Sequence, residues 1–232
     1  MQYNVIGKKI LIEFFTEKIY ERRLIIIGKE VSKRTLKRLP NYLTYLKSEK
    51  CGGAINISAP TVARDLGLNE VQVRKDLAIV SRSGGKPKTG YLLSSLIEDI
   101  ESFLGYDNQK DAIIAGVGHL GSALLSYKGF SDYGMNVVAG FDTDEKLIGK
   151  TVHGKKIYDI SELTKIVKEL NIRLGIITVP SEFAQQVCNE MVKGGILAVW
   201  NFAQVQLVVP DGVIVQNENM AASLAVLSAM ID

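Results

Sequence analysis

The chain has 232 residues, 47% hydrophobic and 23% charged, which fits one large globular domain or two small ones and excludes a disordered tail protein. No run of about 18 apolar residues occurs, so no membrane span is predicted, and a signal peptide is not expected. Two cysteines, Cys51 and Cys188, and two histidines, His119 and His153, argue against a disulfide framework and a Cys/His zinc site, and point to a reducing, cytoplasmic setting.

The net charge of +3 hides a division. Residues 1–90 hold 18 Lys and Arg against 8 Asp and Glu, whereas residues 91–232 hold 10 against 17. A basic front suits a polyanionic partner such as nucleic acid; the plainer alternative is two solvated surfaces of opposite sign.

Residues 1–30 mix charges with Ile, Leu and Phe and show no helix cap; they read as an N-terminal extension of unknown role. Residues 31–107 read as short helices. Leu36, Leu39, Leu43 and Leu46 recur at helical spacing, but Pro40 falls inside the pattern, and an interior proline costs about 3 kcal/mol. A kink, or a new helix starting near Pro40, is therefore predicted. Ser58 is a candidate N-cap with Pro60 in the first turn, and Gly67 a candidate terminator. Asn69 caps a further helix from Glu70 to about Val80, completing a helix-turn-helix pattern.

On that last helix Val73, Leu77 and Val80 share one side, and Val71, Lys75 and Ala78 lie opposite, flanked by Gln72 and Arg74. Cations near the helix start can reach phosphate or guanine, and an amide can pair with adenine. Residues 81–91, SRSGGKPKTGY, form a basic turn in which Arg82, Lys86 and Lys88 suit a DNA-contacting wing. The candidate DNA contacts are thus Asn69, Gln72, Arg74, Lys75, Arg82, Lys86 and Lys88. A helical pattern from Leu92 to Leu104 is expected to link this domain to the next.

Residues 108–218 alternate strand and helix patterns. The apolar run Asp111 to Ala115 leads directly into Gly116-Val117-Gly118-His119-Leu120-Gly121, and a helix follows. This is G-x-G-x-x-G in the context that gives it meaning. Gly116 permits the tight turn, Gly118 lets a pyrophosphate approach, and Gly121 lets helix pack on strand. A second strand, Asn136 to Phe141, ends in Asp142, 21 residues beyond Gly121, where a carboxylate accepts from the ribose hydroxyls and repels a 2′-phosphate. NAD(H) is therefore the predicted cofactor. Strands at 174–179, 196–200 and 213–215 and helices at 163–170 and 181–193, the latter capped by Ser181, continue the pattern. Ligands sit beyond the carboxyl ends of such strands, which brings Thr178, Val179, Pro180, Asn201 and Phe202 into the candidate site.

Residues 219–232 read as a last helix that is apolar almost all round and so must be buried. A second subunit is the expected cover, by exchange of this helix in a homodimer; packing on its own domain is the alternative. Beyond the nucleotide fold there is no Ser-Tyr-Lys group and no His–carboxylate pair, so no catalysis is expected. The fold class is α/β with a winged helix-turn-helix front, a Rossmann-like parallel sheet and a terminal swapped helix. The parts add up to a ligand-responsive DNA-binding protein; the rival is a small NAD-dependent oxidoreductase with a basic accessory domain.

The segments KRLPNY (37–42), QVRKDL (72–77), GVGHLG (116–121), FDTD (141–144), ITVP (177–180) and NFA (201–203) together resemble the redox-sensing transcriptional repressor Rex family, from about Val31 to the end. The resemblance implies a homodimer that senses the NADH/NAD ratio and leaves DNA when NADH binds. It implies DNA contacts by Arg74 and Lys75 and an NAD site at Gly116, Gly118, Gly121 and Asp142. There are departures. Residues 1–30 fall outside the pattern, Ile79-Val80-Ser81 replaces a Tyr-Phe-Gly stretch, and Pro87-Lys88 replaces an Arg-Gly pair in the wing. The family's switch of Arg, Tyr and Asp corresponds here to Thr44, Tyr127 and Asn219, so a sibling that binds NAD(H) without strong redox switching is a further alternative.

Overall fold

Ser32 ends an antiparallel hairpin and begins the first long helix. In the computed structural model, which describes residues 23–26 and 29–231, β1 (Arg23–Ile26) pairs with β2 (Lys29–Ser32). Most of the predicted N-terminal extension and Asp232 lie outside the described residues. The chain divides into two units, Met1–Asp107 and Asn108–Asp232.

In the first unit the Ser32 hydroxyl accepts the Thr35 amide at 3.0 Å and caps α1 (Lys33–Cys51). The predicted new start at Pro40 is not found; one helix runs through it. Leu39, Tyr42, Leu43 and Leu46, on both sides of the proline, are fully or almost fully buried. Each such side chain contributes about 1.5–3 kcal/mol, so together they outweigh the one lost hydrogen bond. Ser58 caps α2 (Ala59–Asp65), Gly67 turns the chain at φ +63°, and Asn69 caps α3 (Glu70–Val80). The strands β3 (Asn56–Ile57) and β4 (Tyr91–Leu92) pair antiparallel and frame the wing. Its tip is closed by Lys86 and Gly90, which exchange amide-to-carbonyl bonds of 2.7 and 2.9 Å. Gly90 cannot be replaced there: its φ is +73°, and a Cβ would stand 2.3 Å from the Ile57 carbonyl oxygen. The helix expected to lead into the next domain, α4 (Leu93–Leu104), also completes the core, setting Leu93, Leu96, Ile97, Ile100 and Phe103 with Val73, Leu77 and Val80.

The second unit is a seven-stranded sheet. Its strands are β5 (Lys110–Ala115), β6 (Met135–Asp142), β7 (Thr151–Val152), β8 (Lys155–Asp159), β9 (Leu174–Ile177), β10 (Ala198–Asn201) and β11 (Ile214–Asn217). Across the sheet the order is β11-β10-β9-β5-β6-β8-β7. All neighbours are parallel except β7 and β8, so the predicted parallel sheet carries one antiparallel edge. Helices α5 (His119–Ser126), α6 (Leu163–Glu169) and α7 (Ser181–Gly194) cover it. Adjacent residues of β5 serve opposite layers: Ile113 packs with Leu163, Val167 and Met191, and Ile114 with Leu125, Val137 and Ile157. Ser181 is the first residue of α7 and not its cap; Pro180 holds that position and its carbonyl accepts the Phe183 amide.

Asn219 caps α8 (Met220–Ser228) by accepting the Ala222 amide at 2.9 Å. The expectation that so apolar a helix is buried fails within the single chain. Leu224 is 69% exposed, Leu227 60% and Met230 76%, so α8 does not pack on its own unit. Among the described residues no helix is long and apolar enough to cross a membrane.

Candidate dinucleotide site and nucleic-acid interface

The glycine turn follows β5 and opens α5. Gly116 has φ +91°, and a Cβ on it would stand 2.8 Å from the Thr178 carbonyl carbon. A Cβ on Gly121 would fall 1.8 Å from the Gly116 carbonyl oxygen. Gly118 is the reverse case: nothing lies within 4 Å of the place its Cβ would occupy. Two glycines are therefore fixed by packing, and the third faces open space at the start of a helix with no side-chain cap. The free amides of that first turn and the positive end of the helix dipole suit a pyrophosphate. The residues present fit a dinucleotide.

The other predicted residues divide into those that face this space and those that hold it in shape. Asp142 holds the turn: its Oδ2 accepts the Val117 amide at 2.6 Å, and its Oδ1 accepts the Thr143 and Asp144 amides at 2.7 and 3.0 Å. Three of about four acceptor positions on the carboxylate are thereby used, leaving one for a ribose hydroxyl. Val117 is itself buried, its amide spent on Asp142, while His119 is exposed beside Leu120 at the start of α5. The Thr178 hydroxyl lies 3.0 Å from the Ala115 carbonyl oxygen and 2.7 Å from that of Gly116, clamping the turn from β9. Asn201 is completely buried, its amide nitrogen donating to Val205 O at 2.9 Å and to Asn217 Oδ1 at 2.8 Å, so its side chain faces inward. Val179 and Phe202 are half-buried and Pro180 is exposed.

Around the glycine turn and its sheet, three features escaped the sequence reading. Asp159 is the in-register neighbour of Asp142 on β8. Bonds from Ser161 hold its carboxyl below the usual range, so a second negative charge stands on the strand beside Asp142. Tyr127, Phe130, Trp200 and Phe202 form a chain of ring contacts with centroids 5.1, 6.1 and 4.5 Å apart. Ser122 Oγ lies 3.1 Å from His153 Nε2. Register and contacts between distant segments leave no local signal, which is why none of these was seen.

On the first unit, Val71, Arg74, Lys75 and Ala78 are exposed along α3 while Val73, Leu77 and Val80 are buried, as the angular reading requires. Arg74 pairs with Glu70 one turn earlier. Arg82 is tied to the buried Asp99 by both its amide (2.8 Å) and its Nε (2.5 Å), although its side chain remains 69% exposed. Lys86 and Lys88 stand exposed in the wing, and Asn69 is spent on capping. A polar group missed by sequence lies behind α3. Asp76 accepts a two-pronged contact from Arg38 (2.8 and 2.9 Å) and a bond from the Tyr42 hydroxyl (2.9 Å). Burial first, then the Asp76 bond, pushes the Tyr42 phenol up to about 12. The i, i+4 spacing of Arg38 and Tyr42 was the only hint available.

Of the switch positions, Tyr127 is 59% exposed. The Thr44 hydroxyl donates to the Pro40 carbonyl of its own helix, and Asn219 caps α8.

The family model described as "CoA binding domain" matches residues 107–205, and that described as "Putative DNA-binding protein N-terminus" matches residues 30–78. The chain is 42% identical over 198 residues to the redox-sensing transcriptional repressor Rex of Treponema denticola, covering 85% of this chain and 94% of that one. Among solved structures it is similar to RSP, a Rex-family repressor. The complex of RSP with beta-NAD+ and operator DNA matches with a TM-score of 0.81 at 30% identity, over 87% of this chain and 92% of that one. The complex of RSP with beta-NADH gives 0.77 at the same identity, over 87% and 94%. With this identity across nearly the whole of a curated relative, the chain belongs to the redox-sensing transcriptional repressor Rex family.

Proposed function

We propose that the protein is a cytoplasmic, NAD(H)-responsive transcriptional repressor and not an enzyme. Residues 31–107 bind operator DNA, residues 108–218 bind the nucleotide, and residues 219–232 join two copies. The observation that carries this reading is the open space over Gly118 at an uncapped helix start, in the same chain as a helix-turn-helix with a basic wing. The nucleotide meets Gly118, His119, Leu120 and Asp142, with Gly116, Val117 and Gly121 shaping the turn beneath it and Thr178, Val179, Pro180, Asn201 and Phe202 shaping the far side. The DNA contacts are Gln72, Arg74 and Lys75 on α3 and Arg82, Lys86 and Lys88 in the wing, with Asn69 setting the helix start. The exposed apolar faces of α8 support exchange of that helix between two protomers.

Trp200 is the only tryptophan, and its ring lies tilted against Phe202, so its fluorescence reports on this site directly. NADH added to the protein should quench Trp200, and a fluorescent operator fragment should lose the protein as NADH rises at fixed salt. Unquenched emission together with DNA binding indifferent to both nucleotides would refute the proposal.

A second reading has its own support. Thr44 and Asn219 are both occupied by bonds within their own helices, which favours a family member that binds NADH and DNA with weak coupling between them.

A further inference from the structure

The cleft between the start of α1 and the flank of α3 has a volume of about 350 Å³ and is lined by Ser32, Thr35, Arg38, Gln72, Lys75 and Asp76, among others. Arg38 dominates it. One edge of its guanidinium is fixed on Asp76, whose side chain is only 4% exposed, and its Nη2 reaches the Thr35 hydroxyl at 3.3 Å. The Tyr42 hydroxyl holds Asp76 from the other side. This cation therefore cannot swing away.

Gln72 ends against it. With its amide oxygen turned inward, that oxygen lies 2.7 Å from Arg38 Nε, whose one proton goes to Asp76, and accepts from Nη1 at 3.0 Å. Turned the other way, two N–H groups would face a cation at the same distance, which electrostatics forbids. The carbonyl of Gln72 is thus occupied by the protein, and only its two N–H donors remain to face outward. Gln72 lies in the first turn of α3, the part of a recognition helix that meets base edges.

We propose that Arg38 makes Gln72 a donor-only reader of DNA, selective for guanine over adenine at the base pair it meets. The proposal rests on the reading of α3 as a recognition helix. A free glutamine pairs with adenine by giving one hydrogen bond to N7 and taking one from N6, and the second of these needs the carbonyl that Arg38 holds. Guanine alone offers two acceptors; adenine offers N7 but sets its N6 donor against the second N–H, thymine offers one acceptor, and cytosine only a donor. Arg38 is here a positioning residue: it touches no base and acts through the orientation of the amide.

The experiment is selection of bound sequences from a randomised DNA duplex library by the full chain and its variants at one stated salt concentration. The wild type should enrich guanine at one position of each half-site, and Gln72→Ala should flatten that preference by about tenfold. Gln72→Lys, which can only donate, should keep the same base. Arg38→Lys keeps a charge beside Asp76 but cannot serve carboxylate and amide together, and it should admit adenine. Its folding is checked by the thermal midpoint, and if it unfolds, Gln72→Lys decides alone. Adenine at the Gln72-dependent position, a changed base with Gln72→Lys, or an unchanged preference in folded Arg38→Lys would overturn the proposal. A consensus that depends on Arg74 and Lys75 but not on Gln72 would overturn it and leave DNA reading intact. No consensus from the wild type would overturn both.

Discussion

The amide of Val117 donates to the carboxylate of Asp142 at 2.6 Å, so the glycine turn and the end of the neighbouring strand are joined by the side chain proposed to receive the ribose. Nucleotide contact and loop architecture are therefore one interaction. Asp142→Ala should weaken NADH by about 1.5–3 kcal/mol, the usual worth of a charged hydrogen bond. Calorimetry should also show NADPH binding more weakly than NADH in the wild type. Because Asp159 stands beside Asp142 in register, Asp159→Asn should narrow that gap without weakening NADH. Equal affinities for the two nucleotides in the wild type would contradict the roles given to both carboxylates.

The cations of the DNA face should not behave alike. Lys88→Ala removes an exposed wing charge, and it should weaken binding on all sequences and flatten the salt slope by about one unit. Lys75→Ala and Arg74→Ala should alter sequence preference as well. Arg82→Ala should lower the thermal midpoint in addition to DNA affinity, because it strips the buried Asp99 of its cation. A double Arg74 and Lys75 variant that binds duplex as the wild type does would mean that α3 is not the reading helix.

Tyr42 gives the first unit an alkaline limit. Its pKa is raised to about 12 from an ordinary value of 10.0 by burial and by its bond to Asp76. Folding thus favours the neutral phenol, and the stability this supplies is complete below pH 10 and lost as pH climbs through about 12. Tyr42→Phe should cost about 1.5–3 kcal/mol at neutral pH, since the bond it deletes is to a charged group. The difference from wild type should shrink in denaturant melts taken between pH of about 10 and about 12. A gap that stays constant across that range would show that Tyr42 does not titrate with unfolding.

Coupling between nucleotide and DNA should be small. Thr44 and Asn219 offer neutral hydrogen bonds worth about 0.5–1.5 kcal/mol where charged partners would offer about 1.5–3. A ligand cannot shift an equilibrium beyond its differential affinity for the two states. One DNA fragment titrated at saturating NADH and at saturating NAD should therefore give dissociation constants within about a hundredfold of each other, roughly 2.7 kcal/mol of coupling. A larger ratio would mean that other residues carry the switch.

Much of this architecture is written in short-range chemistry. Ser58, Gly67 and Asn69 mark the ends of the helix-turn-helix because capping and positive φ are properties of single residues. The glycine turn is legible for the same reason, as backbone room depends on the absence of one carbon. Pro40 misleads because its cost is local whereas the burial of Leu39, Tyr42, Leu43 and Leu46 that outweighs it is not. The Arg38–Asp76 contact joins residues 38 positions apart, and the Asp142–Asp159 neighbourhood exists only through strand register. β7 has two residues, too few for any periodicity to register. For α8 the apolar pattern is legible, and of the two covers weighed for it, packing on its own domain is the one the exposed side chains exclude.

That terminal helix makes the amount of protein a variable in its own right. Nine helical residues are too few to stay folded alone in water, and every side of α8 that could anchor it is solvent-facing in one chain. Winding of the helix and its coverage by another surface are then a single equilibrium whose position moves with dilution. With a second copy as that surface, as proposed above, a cell holding few copies would keep them with frayed ends, and synthesis of further copies would assemble the proposed reader of the operator. Expression level thus enters the response beside the nucleotide, through mass action and with no additional binding site.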